Sequence, residues 1–203
     1  MSDRTIDSPR DVREGEELDL AAVAGFLSPH TSAPLGSLAA HQFPGGHSNL
    51  TYMLTAGDTE FVLRRPPFGA KIKSGHDMGR EFRVLSGLAK VNGPAPKPIA
   101  YCDDESVLGA PFYVMERVRG IIPRKPKLLA SLDADAIRTL STSTVDTLAA
   151  IHGTDLQASG FDSLGKPEGY VERQVNGWNE RYAKAKTDEV GDMESVGTWL
   201  TEN

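Results

Sequence analysis

Between residues 50 and 55, Leu50, Tyr52 and Leu54 alternate with Thr51, Met53 and Thr55, the period of two expected of a strand with one buried face. Gly57-Asp58 then turns the chain into a second run that ends at Arg64-Arg65, so the pair reads as a hairpin. Strands are predicted at about 39–44, 49–56 and 59–65, with Pro66-Pro67-Phe68-Gly69 stopping the third. The period changes next: from His76 to Val91 the apolar Met78, Phe82, Leu85 and Ala89 fall on one helical stripe, ended by Asn92-Gly93-Pro94. Ser74, three residues before Asp77, is a weak capping signal for this helix. Two further strands are predicted from Pro98 to Asp103 and from Pro111 to Val118, separated by the acidic turn Asp103-Asp104-Glu105.

A short amphipathic helix from Glu17 to Ser28 precedes the strands, and the polar, aperiodic residues 1–16 read as a loose tail. After Gly120 a basic, proline-broken loop leads into a helical remainder. One helix is marked by Ile137, Leu140, Leu148 and Ile151, a second by Val171, Gln174, Val175, Trp178 and Tyr182, and a third by Met193, Val196 and Leu200. The pattern is that of an α+β chain: a leading helix and five strands with one inserted helix over 17–118, then a helical remainder over 119–203.

Composition narrows the function more than the fold. At 203 residues and 39% hydrophobic content the chain can bury a sizeable core, and a formal net charge of −6 gives none of the basic excess that nucleic acid or an anionic membrane attracts. The single cysteine, Cys102, excludes an internal disulfide and reads as a packed strand residue. No apolar run approaches bilayer length, and the opening residues lack a signal-peptide core, so a cytoplasmic location is expected. His41, His47 and His76 lack ligand-like spacing, and His152 with Gly153 reads as a helix terminus rather than a catalytic base.

The candidate chemistry begins with Glu81, at the edge of the helical stripe, where a carboxylate turned inward requires a cation or other donors. Arg64, on the third strand, is the natural partner; its neighbour Arg65 points to the opposite face and is expected to be solvated. Ahead of the hairpin, Gly45-Gly46-His47-Ser48 forms a bend. Taken alone the glycine pair reads as a tight turn, with Ser48 either stabilising it or adding a hydroxyl and an N–H to phosphates; beside Arg64 and Glu81 it becomes a place where backbone N–H groups approach an anion.

The stretches FPGGHSNLTYML, FVLRRPP, GREFRVL, DDESVLGAPFYVMERVRG and GYVERQVNGWNERY, in this order, resemble the aminoglycoside phosphotransferase and choline kinase-like family, and within it the kinase-like domains fused to certain acyl-CoA dehydrogenases. The resemblance covers nearly all of the chain from about Leu18 and implies a protein-kinase-like α+β fold, a five-stranded antiparallel N-lobe with one inserted helix followed by the first helices of an incomplete helical C-lobe, whose full-length members use ATP and magnesium to phosphorylate a hydroxyl group. It implies that Gly45, Gly46 and Ser48 meet phosphates and that Arg64, fixed by Glu81, grips them. It also implies that Val62 covers the adenine, and that the Met115-Glu116-Arg117-Val118 segment reads it through the Glu116 carbonyl and the Val118 N–H.

The family's catalytic loop, an HxDxxxxN pattern followed by a further acidic metal ligand, is not found in the 203 residues. The chain is therefore expected to hold no catalytic residue, with its magnesium ligands lying beyond Asn203 and the apolar faces of its last helices uncovered. The acceptor is a small hydroxylated molecule, by resemblance a hydroxyacyl-CoA-type alcohol. Arg117, Arg119, Arg124, Lys125 and Lys127 are either a solvated cluster or contacts for such an acceptor's phosphates. A non-catalytic nucleotide-binding or interaction module, and a fragment of a longer gene product, are the competing readings.

Overall fold

The computed structural model describes residues 8–44, 49–69, 77–122 and 130–203. The predicted strands are present as β1 (Ala39–Gln42), β2 (Leu50–Ala56), β3 (Thr59–Arg65), β4 (Pro98–Cys102) and β5 (Phe112–Glu116). They form one antiparallel sheet in the order β1-β2-β3-β5-β4. The helices are α1 (Leu20–Leu27), α2 (Met78–Lys90), α3 (Glu105–Leu108), α4 (Ala134–His152), α5 (Leu156–Ser159), α6 (Tyr170–Ala185) and α7 (Gly191–Glu202).

Alternation along the strands divides the sheet into two working faces. Leu50, Tyr52, Leu54, Phe61, Leu63, Ala100, Cys102, Phe112 and Val114 pack with Val23 and Leu27 of α1 into the main core. Cys102 is buried there, as its position in a strand predicts. The other face, bearing Val62, Arg64, Tyr113 and Met115 at directly opposed positions of β3 and β5, meets α2. Asp77 caps α2 by accepting from the Arg80 N–H at 2.8 Å; Ser74, the expected cap, lies outside the described residues. At the other end Asn92 takes a left-handed φ of 53°, and the Gly93 N–H returns to the Leu88 carbonyl at 2.8 Å. The asparagine thus occupies the left-handed position that glycine usually fills, and Gly93 closes the motif.

Two expectations about charged residues are corrected. Residues 10–16, expected in a loose tail, run along the open edge of β1: Arg10 pairs with Gln42 through two backbone hydrogen bonds of 2.8 Å. The buried Gln42 side chain accepts from the Arg13 N–H and donates to Glu16, and the Tyr52 hydroxyl donates to the Glu16 carbonyl. An edge strand with unpaired backbone groups is a ready pairing site, and this strap occupies it. Arg65 does point away from Arg64, but it is only 2% exposed. Its guanidinium lies 3.7 Å from the Phe68 ring centroid and donates to the Pro66 carbonyl, because the proline turn folds Phe68 back over it.

Burial pushes the Tyr52 pKa from 10.0 up to about 12, against the opposing effect of the Arg65 charge. The folded chain therefore holds this proton more tightly than the unfolded chain. Stability is complete below pH 10 and falls as pH rises through about 12, a loss of roughly 2–3 kcal/mol. Urea midpoints measured across this range should fall more steeply for the wild type than for Tyr52→Phe; parallel slopes would show that Tyr52 is not the titrating group.

The chain divides into two compact units, one ending at Phe161 and one running from Asp162 to Asn203. In the first, α2 packs on α5, and Gly87 permits that approach: a Cβ there would lie 2.8 Å from the Ser159 carbonyl and would also meet the Phe161 ring. Its helix α4 ends at His152, with the Gly153 N–H bonded to Ala149, although Gly153 keeps a φ of −82° and is not the left-handed terminator expected. Ile137, Leu140, Val145, Leu148 and Ile151 on α4 are exposed. In the second unit α6 and α7 pack as a hairpin, with Asn179 donating to the Gly197 carbonyl at 3.0 Å. Val171, Trp178, Met193, Val196 and Trp199 are more than half exposed, the uncovered apolar faces expected for these helices.

Candidate functional site

Glu81 stands in the first turn of α2, where a carboxylate also complements the positive end of the helix dipole. Its oxygens are met from three directions. Asn49, just before β2, donates to Oε1 at 3.0 Å; the Tyr113 hydroxyl on β5 donates to Oε2 at 2.9 Å; and Arg64 Nη1 on β3 lies 3.3 Å from the same Oε2. The expected ion pair between strand and helix forms. Its two side chains remain 32% and 31% exposed, so water screens it, and the pairing itself is worth nearer 1 kcal/mol than the several of a fully buried pair.

The surrounding aromatic residues fix α2 against the sheet. Phe82 stacks on Tyr101 with centroids 5.6 Å apart and tilts against Tyr113 at 6.2 Å. Tyr113 is 1% exposed, and burial drives its pKa upward, opposed by the Arg64 charge and reinforced by Glu81. Its hydroxyl accordingly keeps its proton and serves as a donor. Arg64 Nε is buried with no hydrogen-bond partner, an unused donor on a cation whose side chain is otherwise a third open. The open part of the guanidinium is what can meet an oxyanion.

Val62 is 5% exposed and lies directly across from Met115, so these two form one apolar surface beside Arg64. Glu116 spends its N–H on the Lys97 carbonyl and its carboxylate on the Lys97 N–H at 3.0 Å. Val118 lies past the end of β5 and is 57% exposed. Gly45, Gly46 and Ser48 lie outside the described residues, as do His47, His76, Arg124, Lys125 and Lys127. Of the basic cluster, Arg117 lies over the Phe43 ring at 4.7 Å and Arg119 pairs with Glu60 at 2.7 Å, so both already have work within the fold.

Asn49 and Tyr113 were not among the site residues expected from sequence. Strand parity could have found both: Tyr113 shares its face with Met115, and Asn49 sits two residues before Thr51, which pairs with Arg64.

A five-stranded antiparallel sheet with a helix entering after the third strand, and a strand cation tied to an acid on that helix, defines the small lobe of the protein-kinase-like fold as aminoglycoside phosphotransferases carry it. The model of the phosphotransferase enzyme family matches residues 39–203, and the chain belongs to that family. It is 38% identical over 176 residues to acyl-CoA dehydrogenase family member 10 of Mus musculus, covering 87% of this chain and 16% of that protein. It is 35% identical over 193 residues to family member 11 of Rattus norvegicus, covering 95% of this chain and 24% of that one. Among solved structures it is similar to a protein of Ralstonia eutropha whose assignment as an aminoglycoside phosphotransferase is itself inferred, with a TM-score of 0.74 and 30% identity over 92% of this chain and 54% of that one. The chain thus spans a quarter or less of these curated relatives and about half of the solved one.

Proposed function

We propose that this chain carries the nucleotide-binding half of an ATP-dependent phosphotransferase acting on a hydroxyl group of a small molecule. The observation that carries the reading is the Arg64–Glu81 pair between β3 and α2, with a buried, unpartnered Arg64 Nε beside it. In this reading Arg64 grips the phosphates, Glu81 fixes Arg64, Gly45, Gly46 and Ser48 add backbone and hydroxyl donors, and Val62 with Met115 forms the apolar bed for the adenine. The Glu116 carbonyl and the Val118 N–H read the base edge. The bound nucleotide supplies the phosphoryl group; this chain's residues position and neutralise it.

No three His, Cys, Asp or Glu side chains gather among the described residues, and no step is assigned to magnesium. Its ligands belong, in this reading, to the family's catalytic loop. No helix among the described residues is long and apolar enough to cross a membrane; the proposed partner is a small hydroxylated molecule, with no nucleic-acid or membrane partner, and the proposed location is the cytoplasm. The names of the curated relatives favour a hydroxyacyl-CoA-type acceptor, by analogy alone. Calorimetric titration tests the nucleotide assignment: ATP should bind more tightly than adenosine, with the difference shrinking as salt is raised. Equal affinities would remove the phosphate-binding role from Arg64.

A further inference from the structure

The number of donors on Glu81 exceeds what an ion pair needs. A carboxylate offers about four lone-pair sites. Two neutral donors and one cation occupy three of them here, and the cation makes the longest contact, 3.3 Å against 3.0 and 2.9 Å. The Arg64–Glu81 contact runs from Nη1 to Oε2, and Nε makes no hydrogen bond, so the two-pronged geometry that engages Nε is not formed. Tyr113 cannot turn away: it is 1% exposed, packed against Phe82, and opposite Arg64 in the β3–β5 register.

We propose that Tyr113 and Asn49 are positioning residues that take up acceptor sites of the Glu81 carboxylate, so that Glu81 holds Arg64 through Nη1 and leaves its exposed donors for the polyphosphate of a nucleotide. This rests on the nucleotide reading above and explains how one acid orients a cation without neutralising it. Without the two neutral donors Glu81 draws the guanidinium into a two-pronged pair. The same carboxylate then also presents more uncompensated charge to the incoming anion. Both changes act against phosphate and leave the adenine bed untouched.

The test compares wild type, Tyr113→Phe and Asn49→Ala by titration with inorganic tripolyphosphate, ATP and adenosine, and follows the Arg64 Nε–H resonance by NMR in the unliganded chains. Each variant should bind tripolyphosphate and ATP about 3- to 10-fold more weakly, the equivalent of one hydrogen bond, with adenosine affinity unchanged and the Arg64 resonance displaced. Asn49→Ala serves as the second reading if Tyr113→Phe does not fold. Loss of affinity for adenosine in equal measure, or no loss for tripolyphosphate, would overturn the proposal while the nucleotide reading stands. A wild type that binds neither ATP nor tripolyphosphate would overturn both.

Discussion

Arg64→Ala should reduce the affinity of the chain for ATP by roughly 10- to 100-fold while leaving its fold almost as stable as before, because the two effects have different sources. Stability changes little since the pair is a third exposed and Glu81 keeps Asn49 and Tyr113 as donors, so that no buried charge is orphaned. Affinity changes greatly since the variant lacks the cation that the open third of the side chain presents to an anion. Arg64→Lys should fall between the two, retaining charge but losing the planar fork. Glu81→Gln should weaken binding less than Arg64→Ala, because it loosens the cation without removing it. Titration of the four proteins with ATP, alongside urea unfolding, checks the separation. An Arg64→Ala protein that unfolds readily and binds ATP normally would reverse it.

The second large effect concerns turnover. The 203 residues contain the strand cation, its acid and the segment proposed to read the base, but no HxDxxxxN loop to accept the acceptor's proton and hold the metal. Phosphoryl transfer depends on positioning and on neutralising the charge of the transferred group, and loss of one such stabilising donor commonly costs about 100- to 1,000-fold. With base and metal ligands both missing, a steady-state assay of this chain with ATP, magnesium and hydroxylated acceptors should give no appreciable rate. A version extended with the family's catalytic loop should turn over. Comparable rates for the two would mean that the catalytic groups lie within the 203 residues after all. The extended version also separates acceptors: a CoA-linked alcohol should be preferred over its free hydroxy acid if the basic residues after β5 contact the acceptor.

The hydrophobic pattern located every strand to within about two residues, and the Arg64–Glu81 pair followed from it, because period and parity determine which face a strand residue shares with the next helix. Charge without periodicity was harder to read. Residues 10–16 look like a solvated tail because their partners, Gln42 and Tyr52, stand some thirty positions away and carry no sign of an unmet edge. Arg65 was assigned to the correct face but the wrong environment: a roof made by Phe68 three residues later has no periodic signature. Asn49 and Tyr113 lay on a face already recognised as functional. Neither carries a charge or a periodic signature of its own, and their role follows from satisfying a carboxylate that the pattern points inward.

The most direct test of a nucleotide site on the α2 face of the sheet is a protein-detected NMR titration of the chain with a non-hydrolysable ATP analogue. Resonances of Val62, Arg64, Glu81, Met115, Glu116 and Val118, together with Gly45, Gly46 and Ser48, should shift in concert, while those of α1 and of the α6–α7 hairpin stay in place. Shifts confined to the hairpin, or none at saturating analogue, would contradict the account.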